Sequence, residues 1–340
     1  MLTRIRQSIA RFDAHAHEVA TIPRSTRLSI AAAGGAWGAF ITYFSLVVAP
    51  QHLAKDFSWP WRGARALLAG FDPYAVIRAT GDYPFNVGLF YPLPAVIAAI
   101  PFAPLSPHIA GASFIGISSA LLAYGLSRNR DSLVKLPLFV SAPFCMAAVL
   151  GQWAPLLVAL ATLPALQFLA ATKPNIGLVT WLFRPTVKGV LACAAFVLIS
   201  VLVLPSWPEG WREALEGTPR YRGPLVRGMT GAILLVALLR WRRREGRLFL
   251  AMAAVPQLSL FYDQLPLWLI PSTVARSIAL SALSWVAWFQ WYPHRAATSS
   301  VPAAEPWVFW LVYVPALILL MLLPRAEASQ QPPVGDVKVA

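Results

Sequence analysis

The run from Lys55 to Tyr74, KDFSWPWRGARALLAGFDPY, sets Asp56, Arg62, Arg65 and Asp72 among Trp59, Trp61 and Tyr74, between strongly apolar segments. Those residue types suit work on a polar substrate at a membrane surface. A carboxylate can take a proton from a hydroxyl, and a guanidinium fork matches a phosphate. The aromatic rings of Trp59, Trp61, Tyr74 and, further on, Tyr91 either stack on sugar rings or sit in an interfacial belt. Asp72 precedes Pro73 in a standard turn pair, where a structural role outranks a catalytic one. Gln152 stands at a span end, where its amide bonds either a substrate hydroxyl or a freed backbone group. Lys173 lies inside an apolar run; a charge at mid-membrane costs roughly 2.5 to 3.5 kcal/mol, so it must snorkel or face a wet cavity. Arg276 meets the same argument, with snorkelling to the inner surface the favoured outcome.

The elements that must position these groups are apolar. The chain is 58% hydrophobic and 12% charged, with a mean hydropathy of +0.60, which excludes a soluble globular domain and fits a polytopic membrane protein. Apolar runs occur at 28–48, 108–126, 133–150, 154–184, 187–205, 227–241, 247–262, 264–275, 277–292 and 306–324. At roughly 20 residues per crossing they predict an all-α integral membrane protein of about ten transmembrane helices, in a single domain over 28–324. Residues 1–27 read as a cytoplasmic N-terminal segment ahead of an uncleaved first span. Residues 325–340 read as a disordered cytoplasmic tail.

The net charge of +14 does not point to nucleic acid, because Lys and Arg fall in short clusters between the apolar runs. With both termini in the cytoplasm, the inside segments collect most of the basic residues, including Arg128, Arg130, Lys135 and the group Arg240, Arg242, Arg243, Arg244 and Arg247, as the positive-inside bias requires. The outer loops are then 49–105, 205–226 and 292–306. The run 87–105 is long enough to span but carries Pro92, Pro94, Pro101 and Pro104. It is placed as a re-entrant or interfacial helix of the first outer loop, because proline frees backbone groups that lipid cannot satisfy. Cys145 and Cys193 lie in apolar runs and suggest neither a disulfide nor a metal site. Phosphate-loop, dinucleotide, zinc and serine-hydrolase signatures do not occur. The spans hold no series of buried acidic residues of the kind a proton-coupled pump favours.

The run from Asp56 through Trp61, Arg65, Leu67, Leu68, Gly70, Asp72, Pro73 and Tyr74 resembles the aspartate-to-G-x-D-P-Y signature of glycosyltransferase family 87. Phe90-Tyr91-Pro92, Gly151-Gln152 and Lys173-Pro174 resemble its F-Y-P-P, G-Q and K-P elements, in the same order, and Tyr262-Asp263 is similar at the start of a late span. The resemblance implies a membrane-embedded GT-C fold and transfer of a monosaccharide, such as mannose, from a polyprenyl-phosphate donor. The acceptor would be a lipid or glycan on the extracytoplasmic face of the cell membrane, and the anomeric carbon would be inverted. It implies Asp56 as general base, with Arg65, Asp72, Tyr74, Tyr91, Gln152, Lys173, Tyr262 and Asp263 as substrate-binding residues.

A phosphate leaving group needs no general acid, which fits one key carboxylate where a glycoside hydrolase needs a pair. Lys55 beside Asp56 is expected to hold it ionised. No cofactor is expected; a divalent metal is permitted but not required, since only Asp56, Asp72 and Asp82 offer hard oxygen ligands in the first loop. The chain is shorter than is usual for the family between Gly151-Gln152 and Lys173-Pro174, with room for about one span. Two other classes share this ligand chemistry: a transporter or flippase of lipid-linked sugars, and a noncatalytic subunit of cell-envelope assembly.

Overall fold

The computed structural model describes residues 22–48, 55–78, 83, 85, 88–128, 133–216, 221–294 and 304–324. The expectations for most of the N-terminal segment, for the tail 325–340, and for Asp82 and Arg130 lie outside these residues. Every regular element is helical, and no strand occurs among the described residues.

All ten apolar runs form helix, but few form one long helix. Arg24–Val48 and Pro107–Leu126 are long and apolar enough to cross a membrane, and Val187–Val203 with Trp207–Glu216 makes a third if that pair, bent by 95°, is one span. Val274–Trp291 is one unbroken 18-residue helix, and most of the other runs are cut by proline, of which the chain has 30. Pro94, Pro143, Pro155 and Pro174 each sit in the first turn of a short helix, where the missing N–H costs nothing and the fixed φ suits the start. One step later in a helix the same residue would break the backbone ladder, so each proline sets a boundary. Several segments, Pro164–Thr172, Met229–Arg240 and Tyr262–Leu269, are wound as 3-10 helix, which advances about 2.0 Å per residue and so reaches further than α-helix.

The two long helices form the most extensive helix pair. Gly34, Gly35 and Gly38 of Arg24–Val48 face Gly116, Ser119, Ala120 and Ala123 of Pro107–Leu126; a Cβ at Gly38 would stand 2.3 Å from Ser119 Oγ. Such small residues let helix backbones approach where lipid removes the hydrophobic drive to associate.

The proline-rich run 87–105 forms a helix at Leu93–Ala99 continued by a 3-10 turn at Ile100–Phe102, about 16 Å long and so near half the hydrocarbon thickness. Leu93, Pro94, Ala95, Val96 and Ala99 are buried in the core beside the helix Ser58–Leu68. The segment between Gln152 and Lys173, expected to hold about one span, instead turns back on itself. Ala154–Leu160 runs away from Gln152, and Pro164–Thr172 returns the chain so that Lys173 Nζ stands 3.5 Å from Gln152 Oε1. Pro174–Phe183 then leaves in the first direction. Three short arms thus stand where about one span was expected.

Candidate functional site

The local backbone places the key groups by sharp turns. Lys55 (φ 51°), Gly151 (φ 62°) and Phe261 (φ 67°) are left-handed, and each stands one or two residues before a polar side chain of the cluster: Asp56, Gln152 and Asp263. Glycine adopts this conformation freely, but for Lys55 and Phe261 it costs of order 1 kcal/mol or more each, the kind of strain that collects at functional sites. The Asp56 N–H donates to the Leu150 carbonyl at 3.1 Å, which pins the first loop to the Gly151-Gln152 turn.

Four stretches far apart in sequence meet here. Gln152 Nε2 donates to Asp56 Oδ2, and its Oε1 accepts from Lys173 Nζ at 3.5 Å. Lys173 Nζ also pairs with Asp263 Oδ1 at 2.5 Å. Asp263 Oδ2 accepts from the Leu258 N–H at 3.3 Å, and the ammonium lies 5.1 Å from the centre of the Tyr262 ring. The result is a chain of polar groups, Asp56 to Gln152 to Lys173 to Asp263, with an amide between two charged partners. One lysine thus serves two carboxylates, directly on one side and through Gln152 on the other. Its side chain keeps 17% exposure against 3% for Asp263, and among the described residues two of its three N–H donors are engaged, which leaves one for a ligand. No hydrogen bond from the described residues reaches Asp56 Oδ1.

Burial raises the Asp56 carboxyl from 3.8 to about 6; Lys173 opposes the rise most strongly, Asp263 adds to it, and Gln152 and then Lys55 oppose it. The cation that holds Asp56 ionised is therefore chiefly Lys173 and not its neighbour Lys55, whose ammonium turns away to donate to Ser45 Oγ at 3.3 Å. A group titrating near 6 is mostly ionised at neutral pH yet more basic than an ordinary aspartate, which suits a general base.

Aromatic rings floor the site. Phe57 stacks on Phe114 at 4.1 Å, and Trp153 packs against Phe57, Phe114 and Tyr91. The Tyr91 hydroxyl is held protonated by burial and by Asp56 and Asp263 together, so it can donate to a ligand.

Other expected residues have structural duties or lie elsewhere. Asp72 caps the short helix Pro73–Val76 by accepting from the Tyr74 N–H at 2.8 Å. The Tyr74 hydroxyl donates to the Tyr91 carbonyl at 2.8 Å, so Asp72 and Tyr74 shape the loop that carries Tyr91. Arg65 is not brought to the cluster. It lies nine residues beyond Asp56 in Ser58–Leu68 and is exposed, its guanidinium laid over the Trp61 ring one helical turn earlier at 5.0 Å, as side chains four apart on a helix share a face.

Two contributors escaped sequence reasoning. Trp153 directly follows Gly151-Gln152 and was marked only by that adjacency. Tyr221, from the second outer loop, has its hydroxyl kept protonated by burial and by the nearness of Asp263 and Asp56; no local pattern signals it.

Beside the cluster runs an apolar groove of about 680 Å³, lined among others by Pro92, Pro94, Pro174, Leu178, Val197 and Trp211. Pro92 and Pro174 follow directly on Tyr91 and Lys173, so groove and polar cluster adjoin. One wall is the helix Val187–Val203, in which only Gly189 and Ser200 are buried; its leucines and valines face outward on nearly every side. Comparison with known proteins adds no relative: no family model matches the chain, and no curated protein and no solved structure matches it.

Proposed function

We propose that the chain is a multi-pass membrane glycosyltransferase that moves a monosaccharide from a polyprenyl phosphate to an extracytoplasmic lipid or glycan acceptor. The observation that carries this reading is the meeting of Asp56, Gln152, Lys173 and Asp263, each of which lies in one of the short sequence motifs. In this mechanism the acceptor hydroxyl gives its proton to the open Oδ1 of Asp56 while its oxygen attacks the anomeric carbon. The bond from that carbon to the phosphate oxygen breaks, and its electron pair leaves on the phosphate. The free donor of Lys173 meets the charge that develops there, where a preorganised cation in a dry site acts most strongly. Gln152 keeps base and cation a fixed distance apart, and Tyr91 and Trp153 offer a face and a hydroxyl to the sugar.

The adjoining groove supports a lipid-tailed donor, since an isoprenoid chain laid along it would leave its phosphate at Lys173. About ten crossings, with the cluster on the outer face and the basic clusters on the inner one, complete the proposal. The deciding experiment is turnover of a labelled prenyl-phosphate sugar by the purified protein. Asp56→Asn should lower transfer by about 10² to 10⁴ while donor binding persists. Unchanged product formation would remove Asp56 as base, and donor binding with no turnover by the native protein would favour a transporter.

A further inference from the structure

Arg227 belongs to no motif, yet its guanidinium is fully engaged. Nε and Nη2 donate to the Arg222 carbonyl at 3.1 and 2.7 Å, Nη2 also to the Gln257 carbonyl at 3.3 Å, and Nη1 to Ser259 Oγ at 2.8 Å. Nη1 also pairs with Glu305 Oε2 at 2.5 Å. These five contacts match the five N–H donors of an arginine. In the proposed topology Arg227 lies on the outer face, where the positive-inside bias does not account for it. Its acceptors come from three separate stretches: the strap 221–226, the stretch 255–261 that leads to Asp263, and the helix Glu305–Val308.

The middle stretch connects Arg227 to the polar cluster. Residues 255–261 are not helical, so their backbone groups must find partners elsewhere. Arg227 takes the Gln257 carbonyl, and the N–H of the next residue, Leu258, donates to Asp263 Oδ2 at 3.3 Å. From the other side Gln264 Nε2 and the Tyr313 hydroxyl both donate to Gln257 Oε1 at 2.8 Å. One oxygen of Asp263 is thus held by backbone that Arg227 clamps, while the other pairs with Lys173 at 2.5 Å. The strap is fixed in the same way. A Cβ on Gly223 would stand 2.3 Å from the Ala254 carbonyl oxygen, so the strap lies directly against the end of the helix Arg244–Ala254. Tyr221, at the start of the strap, is exposed and near enough to Asp263 and Asp56 to feel their charge.

We propose that Arg227 is a positioning residue for the polar cluster: its guanidinium locks the stretch that aims Asp263 at Lys173 and the strap that holds Tyr221 close by. Glu305 balances its charge and ties the clamp to the last helical run. The task calls for arginine, because a planar fork reaches several acceptors in fixed directions, whereas a lysine offers three donors at one point. The role concerns how the carboxylates are held and does not depend on what the cluster transfers.

The test uses the full-length protein and reads the Asp56 carboxyl by pH-difference infrared spectroscopy, with Asp56→Asn in each background as the blank. The charges that face Asp56 are Lys173 and Lys55, which lower its pKa, and Asp263, which raises it. Releasing the clamp lets Asp263 move away and leaves Lys173 to Asp56, so Asp56 becomes a stronger acid; loss of a nearby cation alone would do the reverse. Arg227→Gln should therefore raise the acidity constant of Asp56 about tenfold or more, from a pKa of about 6. Arg227→Lys should behave like Arg227→Gln, and Arg212→Gln, on an exposed helix, should change nothing. Ser259→Ala removes one acceptor without altering charge and should give a smaller rise; it decides the matter if Arg227→Gln does not fold. An Asp56 titration unchanged in Arg227→Gln and Ser259→Ala, a shift towards weaker acid, or full rescue by Arg227→Lys overturns the proposal.

Discussion

Replacing Lys173 by methionine should make Asp56 a weaker acid by an amount that the geometry sets. With the Gln152 amide between them, ammonium and carboxylate lie about 6 to 7 Å apart by standard bond lengths, and at an effective dielectric constant of about 20 two unit charges at that distance interact by about 2.5 kcal/mol. That corresponds to a pKa about 2 higher once the lysine charge is gone, moving Asp56 from about 6 to about 8. The buried Asp263, left without its partner, pushes in the same direction. In the double variant Lys173→Met, Asp263→Asn the two opposing charges disappear together, so most of the rise should vanish.

The measurement is pH-difference infrared spectroscopy of the carboxyl band, with Asp56→Asn as the blank, which reads protonation without knowledge of any substrate. If the protein turns over a donor, the acid limb of the pH–rate profile should move up by the same amount, since the base acts only when deprotonated. A titration that stays near 6 in Lys173→Met would refute the reasoning, because the bridge through Gln152 would then carry no electrostatic coupling.

Asp56 also affects stability, with a definite sign. Its folded pKa lies above 3.8, so the folded state binds the extra proton; that contribution is complete below about pH 4 and is lost as pH rises through about 6. Asp56→Asn, which is always neutral, should therefore be more stable than the native chain at pH 7 to 8, by about 3 kcal/mol at most, and the difference should disappear near pH 4. Thermal unfolding of both proteins across this range checks it. Gly151→Ala puts a Cβ at φ 62°, which should cost about 1 to 2 kcal/mol and displace Gln152, so the Asp56 titration should shift along with the unfolding midpoint. Gly38→Leu should separate the two long helices, since even a Cβ meets Ser119. A loss of about 1 to 3 kcal/mol is expected from overpacking, seen as a lower unfolding midpoint with the Asp56 titration unchanged.

Hydropathy alone determined that the chain is helical and built from apolar segments, because burying backbone polar groups in an apolar medium leaves helix as the local solution. Each of the ten apolar runs contributes helix, though described stretches within them, such as 255–261, are not helical. The candidate base, its amide neighbour and the lysine were also legible, since chemistry restricts which residue types serve and each lies in a short recognisable string. The sequence was legible at Asp72 too, where a turn pair predicts a cap and a cap is formed.

Tertiary structure decided which of these groups meet. Arg65 matched the motif but stands exposed over Trp61, away from the cluster, while Tyr221 matched nothing and lies near enough to Asp263 and Asp56 to feel their charge. Lys55 adjoins Asp56 in sequence yet points to Ser45, and Lys173, 117 residues away, supplies the field. Apolar runs such as 154–184 read as a span because hydropathy sums composition; proline, acting on single backbone bonds, folds that run into three short arms. Electrostatic coupling falls with distance in space and is blind to distance along the chain. A string of motifs can therefore name the participants, but only the path of the folded backbone through Gly151, the Gln152–Lys173 return and Phe261 makes them one site.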